Sequence, residues 1–174
     1  MILGSSWLSR IYFPEAIAAV LRELGVSRDG RAGLFPLLLG GAEEVELAAE
    51  VMALAGDVPM LNLAGKTRLR DLLAIFPHCA AAFGPDSGPM HIAAAVGCPV
   101  VSLWGSTAPE RSAPWGFAHL VLRGEIPCHP CYLRRCPIGR ECMRRIAPAS
   151  VVEAIQRALG GVAVAVTTFE SETR

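Results

Sequence analysis

The stretch Gly84-Pro85-Asp86-Ser87-Gly88-Pro89-Met90-His91-Ile92-Ala93-Ala94-Ala95 decides how this 174-residue chain is read. Ahead of it, Cys79 to Phe83 is a short run of small and apolar residues, the pattern of a buried strand. Behind it, Met90 to Val96 is helix-forming, Gly97 closes the helix, and Pro99 to Trp104 is a second apolar run. Ser87 or Gly88 suits the helix cap, and Pro89 suits the first turn, where a missing N–H costs nothing. The unit is therefore strand, tight turn, helix, strand. A turn at the carboxyl end of a parallel strand is where open α/β sheets hold ligands. Unpaired N–H groups at the helix start favour an anion, and glycine lets a phosphate approach the backbone. Asp86 falls just before that site and His91 in the first turn of the helix. Each has a plainer role open to it, Asp86 as a turn former and His91 as a packing or capping residue. Their company in one turn favours binding.

Working outward, the same alternation recurs. Met1 to Ser6 reads as the end of a strand running into a serine turn. Ser5, Ser6 and Arg10 put two hydroxyls and a cation beside a helix start, which suits a diphosphate and also a capped helix with a surface arginine. Pro14 to Leu24 is an amphipathic helix with Ile17, Val20, Leu21 and Leu24 on one face. Gly25 to Gly33 is a polar connection, and Leu34 to Leu39 is a strand ending at Gly40-Gly41. Glu43, Glu44 and Glu46 follow near a helix start, where the helix dipole accounts for acidic residues. Met60 to Leu63 is a short strand leading into Ala64-Gly65-Lys66-Thr67. This is not a Walker A loop, because that pattern needs a glycine where the chain has Met60. Lys66 reads equally as a phosphate contact or a solvated cation. The next helix is expected to turn Leu69, Leu72, Leu73 and Phe76 inward.

Five or six strands fit before residue 125, and their alternation with helices predicts a parallel sheet covered on both faces. The ligand edge of that Rossmann-like sheet collects the Ser5-Ser6, Gly41, Gly65 and Asp86 loops. Gly105-Ser106-Thr107 lies on the same edge, where Ser106 and Thr107 suit a ligand hydrogen bond or a plain turn. Ala147 to Leu159 is a last amphipathic helix, with Pro148 near its start, that Gly160-Gly161 should end. One domain over residues 1–160 and a tail over 161–174 result.

Composition narrows the class. A hydrophobic content of 52% against 18% charged residues favours a globular, well-buried domain over disorder. Net charge is zero, so no global basic balance points to nucleic acid. No apolar run approaches the roughly 20 residues of a membrane helix, and the start lacks a secretory signal pattern, so a cytoplasmic location is expected. Residues 124–145 change character, with Cys128, Cys131, Cys136 and Cys142 beside Arg134, Arg135, Arg140, Arg144 and Arg145. Four cysteines could bind zinc or an iron–sulfur cluster, although the second pair is not a Cys-x2-Cys and the span is tight. The arginines read as a solvated face or as a phosphate-binding cluster.

The ordered motifs resemble a known family. GPDSGPMHIAAAVGCPVVSLWGSTAPERSAPWG resembles the signature of family 9 glycosyltransferases, the lipopolysaccharide heptosyltransferases, and CHPCYLRRCPIGRECMRRIAPASVVEAI is similar to their cysteine-bearing stretch. GSSWLSRIYFPE, LLLGGAEE and NLAGKT fall upstream in the family's order, so the resemblance covers roughly residues 4 to 159. It implies the C-terminal, donor-binding domain of a GT-B enzyme that moves heptose from an ADP-sugar to a lipopolysaccharide core acceptor with inversion. It implies phosphate contacts from Ser5, Ser6 and Arg10, with Ser87 and Gly88 N–H groups opposite. It also implies a nucleoside or sugar contact from Glu43, with Glu44 the neighbouring possibility, a nucleotide-side loop at Lys66 and Thr67, and orientation of sugar and phosphate by Asp86 and His91. The run Arg10-Ile11-Tyr12-Phe13-Pro14 departs from the family's basic residue followed shortly by Trp-Pro.

No cofactor is required in such a reaction, and the acceptor-activating base belongs to the N-terminal domain, so no catalytic residue is expected here and binding without turnover is. The implied partners are the nucleotide-sugar donor, a phosphorylated glycolipid acceptor, the N-terminal domain and the inner face of the membrane. Two rivals remain at this stage. A related GT-B enzyme such as a UDP-sugar epimerase shares the small-residue helix after the phosphate turn. A non-catalytic module binding through the basic cysteine region would show no nucleotide affinity.

Overall fold

The structure is a computed structural model and describes residues 1–25 and 33–165. Two parallel ladders form its sheet. Strands β1 (Leu37–Leu38) and β2 (Leu61–Asn62) pair in one. Strands β3 (Ala82–Pro85), β4 (Val100–Trp104) and β5 (Val121–Arg123) pair in the other, in that order. The first three residues join them. Leu3 N–H donates to the Leu39 carbonyl, Leu39 N–H to Met1, and Ile2 N–H to Phe83, all within 2.8 to 2.9 Å. Met1–Leu3 thus acts as the first strand, and the sheet runs β2, β1, 1–3, β3, β4, β5. Strand order reverses between residues 1–3 and β3, the topological switch point at which doubly wound sheets bind ligands. Gly84 permits the junction, since a Cβ there would lie 2.6 Å from the Ile2 carbonyl oxygen.

Strand alternation divides the core between the two faces. Leu3, Leu38, Phe83 and Val101 point to one face, under α1 (Pro14–Gly25), α2 (Val45–Ala55) and α7 (Pro148–Ala165). Ile2, Leu39, Ala82 and Val100 point to the other, under α3 (Leu72–Ile75) and α4 (Gly88–Ala95). All five residues of β4 are buried, as a central parallel strand requires. Short helices α5 (Pro109–Ser112) and α6 (Glu141–Arg144) complete the order. Met1 places its amino group in the sheet, bonded to the Leu37 carbonyl at 2.8 Å, and burial pushes that amine down to about 6.

The expected sheet and its helical layers are present, with corrections at several elements. The strand expected from Cys79 begins at Ala82, because a 3-10 turn over Phe76–His78 holds the Cys79 N–H on the Phe76 carbonyl. The strand expected from Leu34 begins at Leu37. The helix expected to bury Leu69, Leu72, Leu73 and Phe76 is a 3-10 turn, one α-helical turn and a second 3-10 turn. Its face is therefore not the 3.6-residue one. Leu72 and Phe76 are buried, while Leu69 and Leu73 are 60% and 53% exposed. Gly160-Gly161 does not end α7, which continues to Ala165. Glycine costs only about 1 kcal/mol against alanine inside a helix, which weakens a helix without ending it. Most of the polar connection expected after Gly25, and residues 166–174 of the tail, lie outside the described residues.

Candidate functional site

A cavity of about 560 Å³ opens at the switch point. Its walls are the loop after residues 1–3, carrying Gly4, Ser5, Ser6 and Arg10, and the β1–α2 turn with Gly40, Gly41, Glu43 and Glu44. The segment Thr67–Leu69 with Leu72 and the turn from Asp86 to His91 close it. Nine of the ten expected donor-site residues line this one cavity. Lys66 does not. Its ammonium is exposed and donates to the Asn62 carbonyl at 3.0 Å, away from the cleft.

Asp86 is buried and engaged by the protein itself. Arg10 Nη1 approaches one of its carboxylate oxygens at 3.1 Å, and Thr107 Oγ1 donates to the same oxygen at 2.8 Å. Ser5 Oγ donates to the Asp86 carbonyl at 2.9 Å. The carboxylate expected to orient a ligand therefore also fixes the cleft, tying the first loop to the β3–α4 turn. Arg10 lies 3.9 Å over the Trp7 ring. Burial pushes its guanidinium below its usual range, and the Asp86 carboxylate opposes that shift.

Ser87 occupies the helix N-cap position without capping it, because its hydroxyl makes no bond to the helix. Ser87 Oγ and Arg10 Nε are buried in the cleft wall with no hydrogen-bond partner among the described residues. An unsatisfied buried polar atom costs about 1–3 kcal/mol, and a ligand oxygen brought there would recover part of it. Gly88 follows, exposed, and a Cβ on it would meet nothing within 4 Å. The fold itself does not require glycine at that position. An oxyanion approaching the first N–H groups of α4 gives it a reason.

Glu43 and Glu44, neighbours in sequence, separate in role. Glu44 folds back to accept the Gly41 N–H at 2.7 Å, and its side chain packs over Gly4 and Gly40. Glu43 is exposed in the cavity. His91 is exposed on the cavity rim, one turn into α4, and Thr67 lines the opposite wall. Sequence reading missed Trp7, whose stack on Arg10 has no local signature. It also left Thr107 between a ligand contact and a turn, and the structure makes it the hydroxyl partner of Asp86.

The four cysteines of the basic stretch are free thiols. Cys142 is buried and its thiol is pushed up, chiefly by desolvation, with Cys136, Cys128 and Cys131 near enough to add to the shift. Among the described residues no three His, Cys, Asp or Glu side chains are placed to hold a metal ion. Arg140 N–H donates to Cys136 Sγ at 3.2 Å. No helix among the described residues is long and apolar enough to cross a membrane.

A doubly wound sheet with a cleft at its switch point defines an open α/β domain, and solved glycosyltransferase structures share its fold. The fold matches Escherichia coli ADP-heptose lps heptosyltransferase II with a TM-score of 0.74 at 24% identity, covering 93% of this chain and 46% of that one. A glycosyl transferase family 9 protein from Veillonella parvula matches with a TM-score of 0.73 at 22% identity, over 92% of this chain and 45% of that one. In sequence, lipopolysaccharide heptosyltransferase 1 of Pseudomonas aeruginosa is 33% identical over 136 residues, 76% of this chain and 36% of that protein. Lipooligosaccharide heptosyltransferase 2 of Campylobacter jejuni is 29% identical over 121 residues, 67% of this chain and 38% of that protein. Residues 30–141 match the profile of glycosyltransferase family 9 (heptosyltransferase), and the chain belongs to that family. It spans less than half the length of these relatives.

Proposed function

We propose that this chain is the donor-binding domain of a heptosyltransferase, holding ADP-heptose while the sugar passes to a lipopolysaccharide core acceptor. The observation that carries this reading is the pair of unpartnered buried atoms, Ser87 Oγ and Arg10 Nε, in the wall of a cleft at the switch point. In the reaction, an acceptor hydroxyl oxygen attacks the anomeric carbon while the bond from that carbon to the diphosphate oxygen breaks. The configuration inverts, and ADP leaves with the bonding electrons. Ser5, Ser6, Arg10 and the Ser87 and Gly88 N–H groups stabilise the negative charge that develops on the leaving diphosphate. Glu43 and Thr67 face the nucleoside, His91 orients sugar or phosphate, and Asp86 holds Arg10 in place. The acceptor hydroxyl's proton goes to a base on the preceding domain, so this chain alone binds donor without turnover. That domain, a phosphorylated glycolipid acceptor and the inner face of the cytoplasmic membrane are the partners this reading requires.

Isothermal titration of the chain with ADP, UDP and GDP tests it. ADP should bind selectively, and Asp86→Ala should weaken it by releasing Arg10. UDP binding in preference to ADP, or nucleotide binding indifferent to Asp86→Ala, would count against the reading.

A further inference from the structure

Beside the cleft lies a second cavity of about 640 Å³, sharing Ser5, Ser6, Glu43 and Glu44 with it. Arg134 and Arg135 line it, together with Glu46 and Glu50 of α2.

The arginines of the 124–145 stretch are not equivalent. Arg140 donates to the Ile11 carbonyl at 2.8 Å and lies over the Phe13 ring at 4.2 Å. Arg144 reaches Glu15 and Glu141, and Arg145 reaches Glu141 and the Glu125 carbonyl. Those three brace the fold. Arg134 and Arg135 are exposed and carry no ion pair among the described residues, although acidic side chains line the same cavity. The backbone beneath them is fixed. Ser9 N–H donates to the Arg134 carbonyl at 3.1 Å, Ser9 Oγ bonds the Leu133 carbonyl at 2.6 Å, and the Arg134 guanidinium lies 5.6 Å from the Trp7 ring centre.

We infer that Arg134 and Arg135 form an anion subsite for the second substrate, a hydroxylated molecule bearing a phosphate or carboxylate. The inference rests on the donor reading, because the shared Ser5-Ser6 wall is what puts this cavity within reach of the transferred group. Two unpaired guanidiniums favour a phosphate or carboxylate through charge-assisted, bidentate hydrogen bonds. Glu43, Glu46 and Glu50 in the same lining can accept hydrogen bonds from sugar hydroxyls, and they repel a ligand lodged with its anion against them. The mixed lining therefore sets orientation as well as affinity.

The test uses the 174-residue chain, 15N-labelled, followed by amide chemical shifts. A titration with ADP reads the donor site first, and shifts absent from Ser5, Ser87 and Gly88 overturn the donor reading by themselves. With ADP saturating, glucose 6-phosphate, glucuronate and glucose are then titrated as probes. The expected result is shifts at Trp7–Ile11 and Leu133–Cys136 for the two anionic probes, with glucose at least about tenfold weaker. The relative affinity of glucose 6-phosphate and glucuronate tells which anion the subsite prefers. Arg134→Gln with Arg135→Gln should weaken the anionic probes by about tenfold, and the double lysine variant, which keeps the charge and loses the bidentate fork, should fall between the glutamine variant and wild type. If the double glutamine variant loses its folded amide spectrum, Arg135→Gln alone carries the test, since no ion pair or hydrogen bond among the described residues holds that exposed side chain. Glucose binding as tightly as glucose 6-phosphate, or anionic affinity unchanged in the glutamine variants, overturns the inference.

Discussion

Replacing Arg10 by methionine removes the guanidinium and keeps a long side chain to cover the Trp7 ring. In the folded protein Arg10 is already ordered, 3.1 Å from Asp86 and 3.9 Å over Trp7, with a side chain only 15% exposed. A ligand phosphate therefore meets a cation whose rotamer freedom is already spent. A hydrogen bond to a charged group contributes about 1.5–3 kcal/mol. Loss of that contact should weaken ADP by roughly 10- to 150-fold. Adenosine has no phosphate, and its affinity should move by less than about twofold. The informative quantity is thus the ratio of ADP to adenosine affinity, measured by isothermal titration on wild type and Arg10→Met, with an unchanged far-UV circular dichroism spectrum as the control for folding, since loss of the buried Arg10–Asp86 pair also lowers the Tm. The reasoning is refuted if adenosine weakens as much as ADP, because the cation would then be shaping the cleft rather than binding phosphate. It is equally refuted if the ADP affinity does not change.

Two further perturbations probe the support beneath the cleft. Thr107→Val removes the 2.8 Å hydrogen bond to the buried Asp86 carboxylate at nearly constant volume. It should cost about 1.5–3 kcal/mol, read as a fall in Tm of about 5–10 °C, with Thr107→Ser close to wild type; equal losses in the two would sink the assignment. Gly84→Ala and Gly88→Ala form a contrasting pair. The first puts a Cβ 2.6 Å from the Ile2 carbonyl oxygen and should destabilise by about 1–3 kcal/mol or more, while the second enters open space and should leave the melting curve within about 0.5 kcal/mol. ADP affinity should nonetheless fall in Gly88→Ala, and an unchanged affinity would remove the argument that a phosphate approaches that backbone.

Much of the frame was legible because it is written in short periods. The apolar runs at Pro99 to Trp104 and Met60 to Leu63 and the glycine-bounded turns located the ladder and its ligand edge. The strand at Ala82 was harder to bound, because Cys79-Ala80-Ala81 offers no contrast between faces. Leu69 and Leu73 were misassigned because a 3-10 turn advances 120° per residue, so the 3.6-residue face does not persist through it. The site residues were legible as a set and opaque in their relations. Nothing local links Asp86 to Thr107, 21 positions away, or to Arg10, 76 positions away. A carboxylate that reads as a ligand contact is therefore indistinguishable in sequence from one that holds the ligand's cation in place. Nor could spacing alone separate Arg134 and Arg135 from the three arginines that brace the fold.

Those relations give the cysteine- and arginine-rich stretch a mechanical role that holds whether or not its thiols ever meet a metal. The loop carrying Ser5, Ser6 and Arg10 has no regular structure beyond one 3-10 turn over Leu8–Arg10, yet it must present a cation at a fixed point. Its far side is held by the later stretch. Ser9 Oγ lies 2.9 Å from Ser106 Oγ, and the Tyr132 N–H donates to the Ser106 carbonyl at 2.8 Å. Arg140 holds the Ile11 carbonyl, and the Tyr12 hydroxyl donates to the Ile146 carbonyl. Residues 9 to 12 are thereby bonded to residues 106, 133, 134, 140 and 146, elements that the chain reaches only after the last sheet strand or just before it. A loop braced from behind loses less entropy when it binds an anion, which is the physical content of preorganisation. The stretch thus joins two tasks: its inward bonds stiffen the loop carrying Ser5, Ser6 and Arg10, and Arg134 and Arg135, without an ion pair among the described residues, line the neighbouring cavity.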